Sequence, residues 1–200
     1  IAKSNSIQGL LVISIIGLFF VCFYSFIKNR KISYLFIFSS IVLMVVAILG
    51  MFQKGPLQNL LYKDSISVRG FYWRAGFEMF LNNPIKGVGV DRYGSYFKEF
   101  REAAYPLRYG YEITSSNAHN TFIQLFATAG ILVGIVYLLL IGYVLFSAIN
   151  LLKRSNSEDQ KITLGLLSAW VGFQAQSLIS IDNIGISIWG WLLGGAILGL

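Results

Sequence analysis

The stretch HNTFIQLFATAGILVGIVYLLLIGYVLFSAINLL, residues 119–152, decides the fold class. After His119 it contains no charged side chain. A helix from Thr121 to Leu152 would rise about 48 Å at 1.5 Å per residue, against about 30 Å of bilayer hydrocarbon. Counted back from Leu152, about 20 residues cross the hydrocarbon, so Gly130 marks the place where this transmembrane helix leaves the membrane or kinks.

The composition of the whole chain agrees with a membrane protein. Hydrophobic residues make up 56% of the 200 residues and charged residues 12%, and the mean hydropathy is +0.65. Only helices and closed barrels satisfy their backbone groups in lipid, and long apolar runs, rather than alternating ten-residue segments, select helices. The predicted fold class is all-α: a polytopic transmembrane helical protein with about five spans and a large extracytoplasmic loop.

Two turns rich in Lys and Arg set the predicted orientation. The turn KNRK, residues 28–31, separates the apolar runs 7–27 and 32–52, and KRSNSEDQK, residues 153–161, follows the long helix. Basic turns face the cytoplasm by the positive-inside rule. The polar segment 53–118 between these two turns is therefore extracytoplasmic.

This orientation predicts three parts of the chain. Residues 1–52 form two transmembrane helices, and residues 53–118 form the extracytoplasmic loop. Residues 119–200 form three transmembrane helices, of which the first projects outward and the last two are joined by an outer turn at Asp182. Because the sequence begins without Met and stops inside an apolar run, we expect a piece of a longer protein.

Charged residues are concentrated in the loop. Fifteen of the twenty-five lie in residues 53–118, and none lies at the middle of a predicted span. Ionisable residues inside spans mark proton relays and ion pathways, so their absence weakens a transporter or channel interpretation. The loop has no D-x-D pair, no histidine cluster and no cysteine, so neither a metal site nor a cofactor is expected.

The loop contains two patterns that predict short amphipathic helices. In the first, Trp73, Phe77 and Leu81 recur at helical spacing before Pro84 ends the helix. The second, residues 93–104, carries four aromatic residues on one face. Arg74 and Glu78 are spaced for an i, i+4 ion pair, and Gly87 and Gly89 predict a tight turn between the helices. Their lone G-x-G is weak support for nucleotide binding.

His119 is the only histidine of the chain. Asn117 is a plausible N-cap, which would place His119 in the first turn of the long helix. There the positive end of the helix dipole would keep the imidazole neutral, the form that a general base needs. The alternative is a structural role at the helix end.

Three motifs together resemble the O-antigen ligase and polymerase family of bacterial envelope glycosyltransferases. They are R-x-x-x-W at Arg69 and Trp73, NNPIKGVG at residues 82–89, and the HN of His119 before an apolar stretch with Gly130. The resemblance covers about residues 55–200 and agrees with the first two spans in topology only. The family's ligases place a small residue or tyrosine three residues after the glycine, where this chain has Val133, so ligase and polymerase both stay open.

The resemblance implies a GT-C-like glycosyltransferase of the bacterial inner membrane, multi-pass and active on its extracytoplasmic face. Its donor would be an oligo- or polysaccharide on undecaprenyl pyrophosphate, and its acceptor a glycan or a lipid. Transfer would be metal-independent and inverting, without a cofactor and without nucleic acid.

The resemblance also implies roles for individual residues. Arg69 would grip the pyrophosphate with its guanidinium fork, and His119 would deprotonate the acceptor hydroxyl. Asp182 would orient His119, or would only occupy an interfacial turn. The further candidates for binding the donor are Arg74, Lys86, Arg92 and Asn120. For each arginine the alternative is an ion pair with the loop's acids or a hold on lipid headgroups.

Two rival functions stay open. A protein O-oligosaccharyltransferase differs in its acceptor, which this sequence does not reveal. A non-enzymatic translocation or scaffold protein would bind lipid-linked glycan in the loop and tolerate the loss of His119. The glycines at 190, 194, 195 and 199 indicate close helix packing rather than chemistry.

Overall fold

The computed structural model describes residues 13–21, 64–154 and 157–200, with isolated positions between 25 and 56. The helices with defined bounds are α1 Asp64–Asn82, α2 Tyr93–Phe100, α3 Ala104–Tyr109, α4 Thr121–Arg154, α5 Ser157–Ser177 and α6 Ile184–Gly199. Residues 13–21 are helical as well, and the described parts contain no strand, which confirms the all-α class for them. Most of the two spans predicted within residues 1–52, and of the KNRK turn, lies outside the described residues.

Among the described helices, α4 alone is long and apolar enough to cross a membrane. The apolar helix α6 is shorter, with 16 residues, so the number of spans stays a prediction. The predicted turn at 153–161 is wrong in extent, because α4 continues to Arg154 and α5 already begins at Ser157. Glu158 and Asp159 lie in the first turn of α5, where negative charge stabilises a helix through its dipole.

The chain divides into two compact units. The bundle unit comprises Ile1–Leu43, Leu139–Ile179 and Asn183–Leu200, and the loop unit comprises Met44–Leu138 and Ser180–Asp182.

The bundle unit contains the close packing that its glycines predict, at two of the four positions. A Cβ at Gly190 would overlap the ring of Phe173, and a Cβ at Gly194 would lie 3.2 Å from Nε1 of Trp170. Gly195 and Gly199 face open space. Small residues at the first two positions therefore let α6 approach α5.

The core of the loop unit is aromatic. It is built from α1, α2, α3 and the start of α4, and its buried members are Phe71, Ala75, Met79, Val88, Tyr93, Phe97, Tyr105, Ala118 and Ala127. The Tyr105 ring meets Phe97 edge to face at 5.1 Å and Phe71 at 5.7 Å. Such pairs stabilise beyond the area they bury. The helix predicted before Pro84 is present as α1, whereas its amphipathic character stays a prediction.

The second predicted helix is confirmed only in part, because it breaks after Phe100. Arg101 adopts an extended backbone, and its guanidinium donates to the carbonyl oxygens of Tyr111 and Ile113 at 3.1 and 3.0 Å. The chain then starts again as α3, which the sequence did not predict. The expected ion pair between Arg74 and Glu78 is wrong. Arg74 Nε lies 2.6 Å from Oε1 of Glu102, which directly follows the break.

The predicted kink in α4 is confirmed at Gly130, whose φ of 79° and ψ of −174° are non-helical. Ile131 N donates to the carbonyl of Pro84 at 2.8 Å instead of to its own helix. Val88 N and Gly89 N donate to the freed carbonyls of Ala127 and Thr128, each at 2.9 Å. The NNPIKGVG segment therefore replaces the backbone hydrogen bonds that the kink removes.

The bend at Gly130 is sharp. The rings of Phe122 and Tyr137 lie on opposite sides of it and are 5.5 Å apart. In a straight helix their Cα atoms would be separated by about 22 Å. The outer segment of α4, residues 121–129, therefore turns back toward the span instead of projecting along its axis.

Substitution of Gly130 by Ala should destabilise the protein by about 2 to 4 kcal/mol, because a side chain is strained at this positive φ and its Cβ would overlap the Ile85 carbonyl. Gly142→Ala in the same helix is the matched control, since a Cβ there meets nothing within 4 Å. Thermal unfolding of both variants in nanodiscs checks this. Equal melting temperatures would contradict the close approach.

Candidate functional site

The site is built first by the segment that precedes α4. Ile123 N donates to Oδ1 of Asn120 at 3.0 Å, so Asn120 is the N-cap of α4. Asn117 instead accepts from the backbone N–H of His119 at 3.0 Å. The predicted N-cap at Asn117 is therefore wrong, and His119 lies before the helix rather than in its first turn.

Hydrogen bonds of the two preceding residues, Asn117 and Ala118, hold the backbone that leads into His119. Ala118 N donates to Oε1 of Gln124 at 2.8 Å, and the Ser115 hydroxyl donates to the Asn117 carbonyl at 2.7 Å. His119 has a φ of 51°, a left-handed conformation in which histidine is among the more frequent non-glycine residues. The surrounding contacts therefore direct this imidazole toward α1.

Tyr72 on α1 receives the imidazole. Its ring stacks on His119 with centroids 5.3 Å apart and planes inclined by 24°. The ring packs edge to face on Phe97 at 5.6 Å, and the Tyr93 hydroxyl donates to the Tyr72 carbonyl at 2.5 Å. Sequence reasoning did not select Tyr72, although its i, i+3 spacing from Arg69 could have indicated a shared helix face.

A glycine lets the two elements come this close. Gly76 lies one turn after Tyr72 on α1, and a Cβ there would be 2.6 Å from Cγ2 of Ile123 and 3.8 Å from the Cβ of Ala118. A larger residue would push α1 away from the segment that carries His119. Gly76 is thus a second site-forming residue that periodicity alone does not reveal.

Burial and charge keep the His119 imidazole neutral. Burial lowers its pKa below the ordinary value, and the positive charge of Arg69 lowers the pKa further. Burial also lowers the pKa of the Arg69 guanidinium itself. The predicted neutral form is therefore supported, but by burial and Arg69 rather than by the dipole of α4. We call these three residues the Arg69–Tyr72–His119 cluster.

The comparison with known families decides the assignment. A family model described as O-antigen ligase matches residues 3–138. The chain belongs to the O-antigen ligase family. The match begins at Lys3 and ends at Leu138, so it includes the first two apolar runs, for which the motifs indicated agreement in topology only. A search of curated proteins and a search of solved structures each gave no match.

Membership in the O-antigen ligase family carries several of the predictions. It identifies a membrane protein of O-antigen and polysaccharide biosynthesis, of glycosyltransferase type. It also implies an inner-membrane location and lipid-linked glycans as the class of substrate. The matched residues include the whole Arg69–Tyr72–His119 cluster.

The remaining candidate cations of this O-antigen ligase family member have other surroundings. Arg74 is paired with Glu102 and lies over the Phe71 ring at 4.8 Å. Lys86 is exposed and is the last residue of the turn that precedes Gly87. The exposed Arg92 lies 5.0 Å over the Tyr96 ring. Their roles in donor binding stay predictions, as does that of Asn120, which is buried as a helix cap.

Asp182 lies in the turn before α6. Burial raises the pKa of its carboxyl, and its charge acts on the hydroxyl of Tyr137. The charge that acts on His119 is that of Arg69. An orienting role of Asp182 toward His119 stays a prediction.

The cluster offers two chemical functions side by side. A guanidinium binds phosphate oxygens as a fork, and a neutral imidazole accepts a proton. Within the described parts of the chain, no group of three His, Cys, Asp or Glu side chains is arranged to hold a metal ion. Anion binding next to a base is what these residues can perform.

Proposed function

We propose that this family member is a membrane glycosyltransferase that transfers or polymerises glycan from an undecaprenyl-pyrophosphate-linked donor. The observation that carries the proposal is the arrangement of the Arg69–Tyr72–His119 cluster: the Tyr72 ring, one turn after Arg69 on α1, stacks on the His119 imidazole at 5.3 Å, and the charge of Arg69 lowers the pKa of that imidazole. The active face is extracytoplasmic, with residues 53–118 and Asp182 outside, because the basic turns at 28–31 and 153–161 favour the cytoplasm.

The reaction is an inverting displacement. His119 accepts the proton of the acceptor hydroxyl, and the resulting oxygen nucleophile attacks the anomeric carbon of the donor sugar. The bond from that carbon to the pyrophosphate breaks, and the leaving pyrophosphate takes both electrons. Arg69 stabilises its growing negative charge, which is the role that a metal ion has in other transferases.

Tyr72 and Arg74 contribute differently to this mechanism. Tyr72 holds the imidazole plane by stacking, so it acts through His119. Arg74 is paired with Glu102, and this ion pair competes with pyrophosphate for its guanidinium. A protein O-oligosaccharyltransferase would use the same donor chemistry with a different acceptor, whereas a non-enzymatic scaffold would not need a neutral base.

Transfer of glycan should survive chelation of divalent ions. Purified full-length protein in nanodiscs would be assayed with lipid-linked donor and acceptor, with and without excess EDTA. We expect the same rate in both, because guanidinium charge replaces the cation. Loss of activity that only a divalent ion restores would refute the metal-independent mechanism, and absence of transfer to any glycan, lipid or protein acceptor would favour the scaffold.

A further inference from the structure

An apolar stripe runs along the outside of α1 and into the turn that follows it. Its members are Phe77, Leu81 and Ile85, which are 57%, 53% and 66% exposed. The opposite face of α1 is buried in the aromatic core through Ala75 and Met79. The helix thus carries two apolar faces, of which one has no protein cover in the described part of the chain.

The stripe ends where the span begins. Ile85 lies beside the kink, because its carbonyl would be overlapped by a Cβ at Gly130. Next to it, the Pro84 carbonyl accepts from Ile131 N at 2.8 Å. The exposed apolar surface then continues down α4 through side chains such as Leu132 and Val136, which are 67% and 56% exposed. Apolar surface of a span faces lipid, so the stripe is continuous with a lipid-facing surface.

The bend of α4 determines how far α1 lies from the hydrocarbon core of the membrane. The α1 helix and residues 119–126 run parallel, as three contacts in order show: Tyr72 on His119, Gly76 against Ile123, and the Phe80 ring 5.4 Å from Phe126. An upright outer segment would lift His119 about 15 Å above Gly130. The headgroup layer is only about 5 to 7 Å thick on each side.

The outer segment does not stand upright, because Phe122 reaches the ring of Tyr137 below the kink. The segment, and α1 packed against it, therefore stay near the outer end of the span. At the outer end of the span, the apolar surroundings closest to the exposed stripe are the acyl chains of the outer leaflet. Arg74 and Glu78, both exposed, border the stripe with the polar groups that an interfacial helix presents to headgroups.

We propose that α1 is an interfacial helix, with Phe77, Leu81 and Ile85 inserted among the lipids of the outer leaflet. The insertion holds the Arg69–Tyr72–His119 cluster at headgroup depth. There the cluster meets a lipid-borne pyrophosphate without lifting the donor out of the membrane. The statement about the donor rests on the proposed function, whereas the insertion itself does not.

Nitroxide labels on single cysteines test the insertion. In the full chain with Cys22→Ser, the variants Phe77→Cys, Leu81→Cys and Ile85→Cys are reconstituted in nanodiscs of anionic and zwitterionic phospholipid. Ser95→Cys and Glu99→Cys on α2 are matched controls, since both positions are exposed and polar. We expect the three stripe labels to collide mainly with oxygen, at depths of about 5 to 10 Å below the headgroups. The control labels should collide mainly with a water-soluble nickel chelate.

Each other outcome overturns the proposal. Stripe labels as accessible to the nickel chelate as the controls would place the stripe in water. Labels protected from both reagents would show that protein, from another helix or a second chain, covers it. A second measurement on the unaltered protein, cross-linking by diazirine lipids, should modify residues 77–85 and not 95–99. Both measurements are independent of glycan transfer. Inserted labels on a protein that does not transfer glycan would therefore contradict the proposed function and leave the insertion of α1 intact.

Discussion

Substitution of His119 by Ala should lower the rate of glycan transfer by about a hundredfold to ten-thousandfold, the usual contribution of a positioned general base. The variant should still insert into the membrane and bind donor, because Arg69 and its surroundings on α1 are unchanged. The measurements are turnover with lipid-linked donor at saturation, donor binding, and thermal stability in nanodiscs.

The fold should survive this substitution. The N-cap of α4 is Asn120, and the hydrogen bond that His119 makes to Asn117 uses its backbone N–H, which Ala keeps. The losses are the stacking on Tyr72, worth about 0.5 to 1.5 kcal/mol, and the small advantage that histidine has over Ala in the left-handed conformation at a φ of 51°. A structural role would therefore appear as modest destabilisation with activity retained.

His119→Asn is the matched control for the backbone. Asparagine tolerates the left-handed conformation better than Ala, but its amide is not a base at neutral pH. Both variants should therefore lose the same activity although they differ in stability. A folded variant of either kind that keeps more than about a tenth of parental turnover would remove the base role. Catalysis would then depend on Arg69 electrostatics and on positioning of the acceptor.

The parts of the fold that the sequence predicts are those that one segment decides alone. The kink at Gly130 follows from the length of an apolar run measured against a bilayer. The helix before Pro84 follows from local periodicity and a local stop signal. The all-α class rests on the same kind of property, so these predictions required no knowledge of distant contacts.

The parts that the sequence missed depend on packing between distant segments. Asn117 and Asn120 are both acceptable caps, and the fold chooses Asn120 because Gln124 and Asn117 are engaged by the backbone of residues 118 and 119. Arg74 had a local partner in Glu78, yet the break after Phe100 brings Glu102 closer. The stacking of Tyr72 on His119 joins two segments that no local pattern relates. The cluster was therefore predicted as separate residues, not as an arrangement.

Arg69→Lys should lower turnover by about a hundredfold, although it keeps the positive charge. A guanidinium offers two parallel donors to pyrophosphate oxygens, whereas an ammonium acts as a point charge, and loss of one such donor typically costs about 10²- to 10³-fold in rate. The measurement is kcat with lipid-linked donor, compared with Arg108→Lys, the same change at an exposed position on α3. A fully active lysine variant would reduce Arg69 to a headgroup anchor.

The pH dependence separates the fork of Arg69 from its charge. Burial and the Arg69 charge hold the pKa of His119 below 6.5, so the neutral base persists, and activity is retained, until the pH falls through that lowered value. Lysine keeps the charge, so Arg69→Lys should lower the plateau of the pH–rate profile and leave its acid limb in place. Arg69→Gln removes the charge, so its acid limb should move upward, only part of the way because burial is the larger cause. If the role of Arg69 were only structural, neither substitution would move the acid limb of the pH–rate profile. Identical acid limbs for the parent and Arg69→Gln would therefore show that Arg69 does not act on the base.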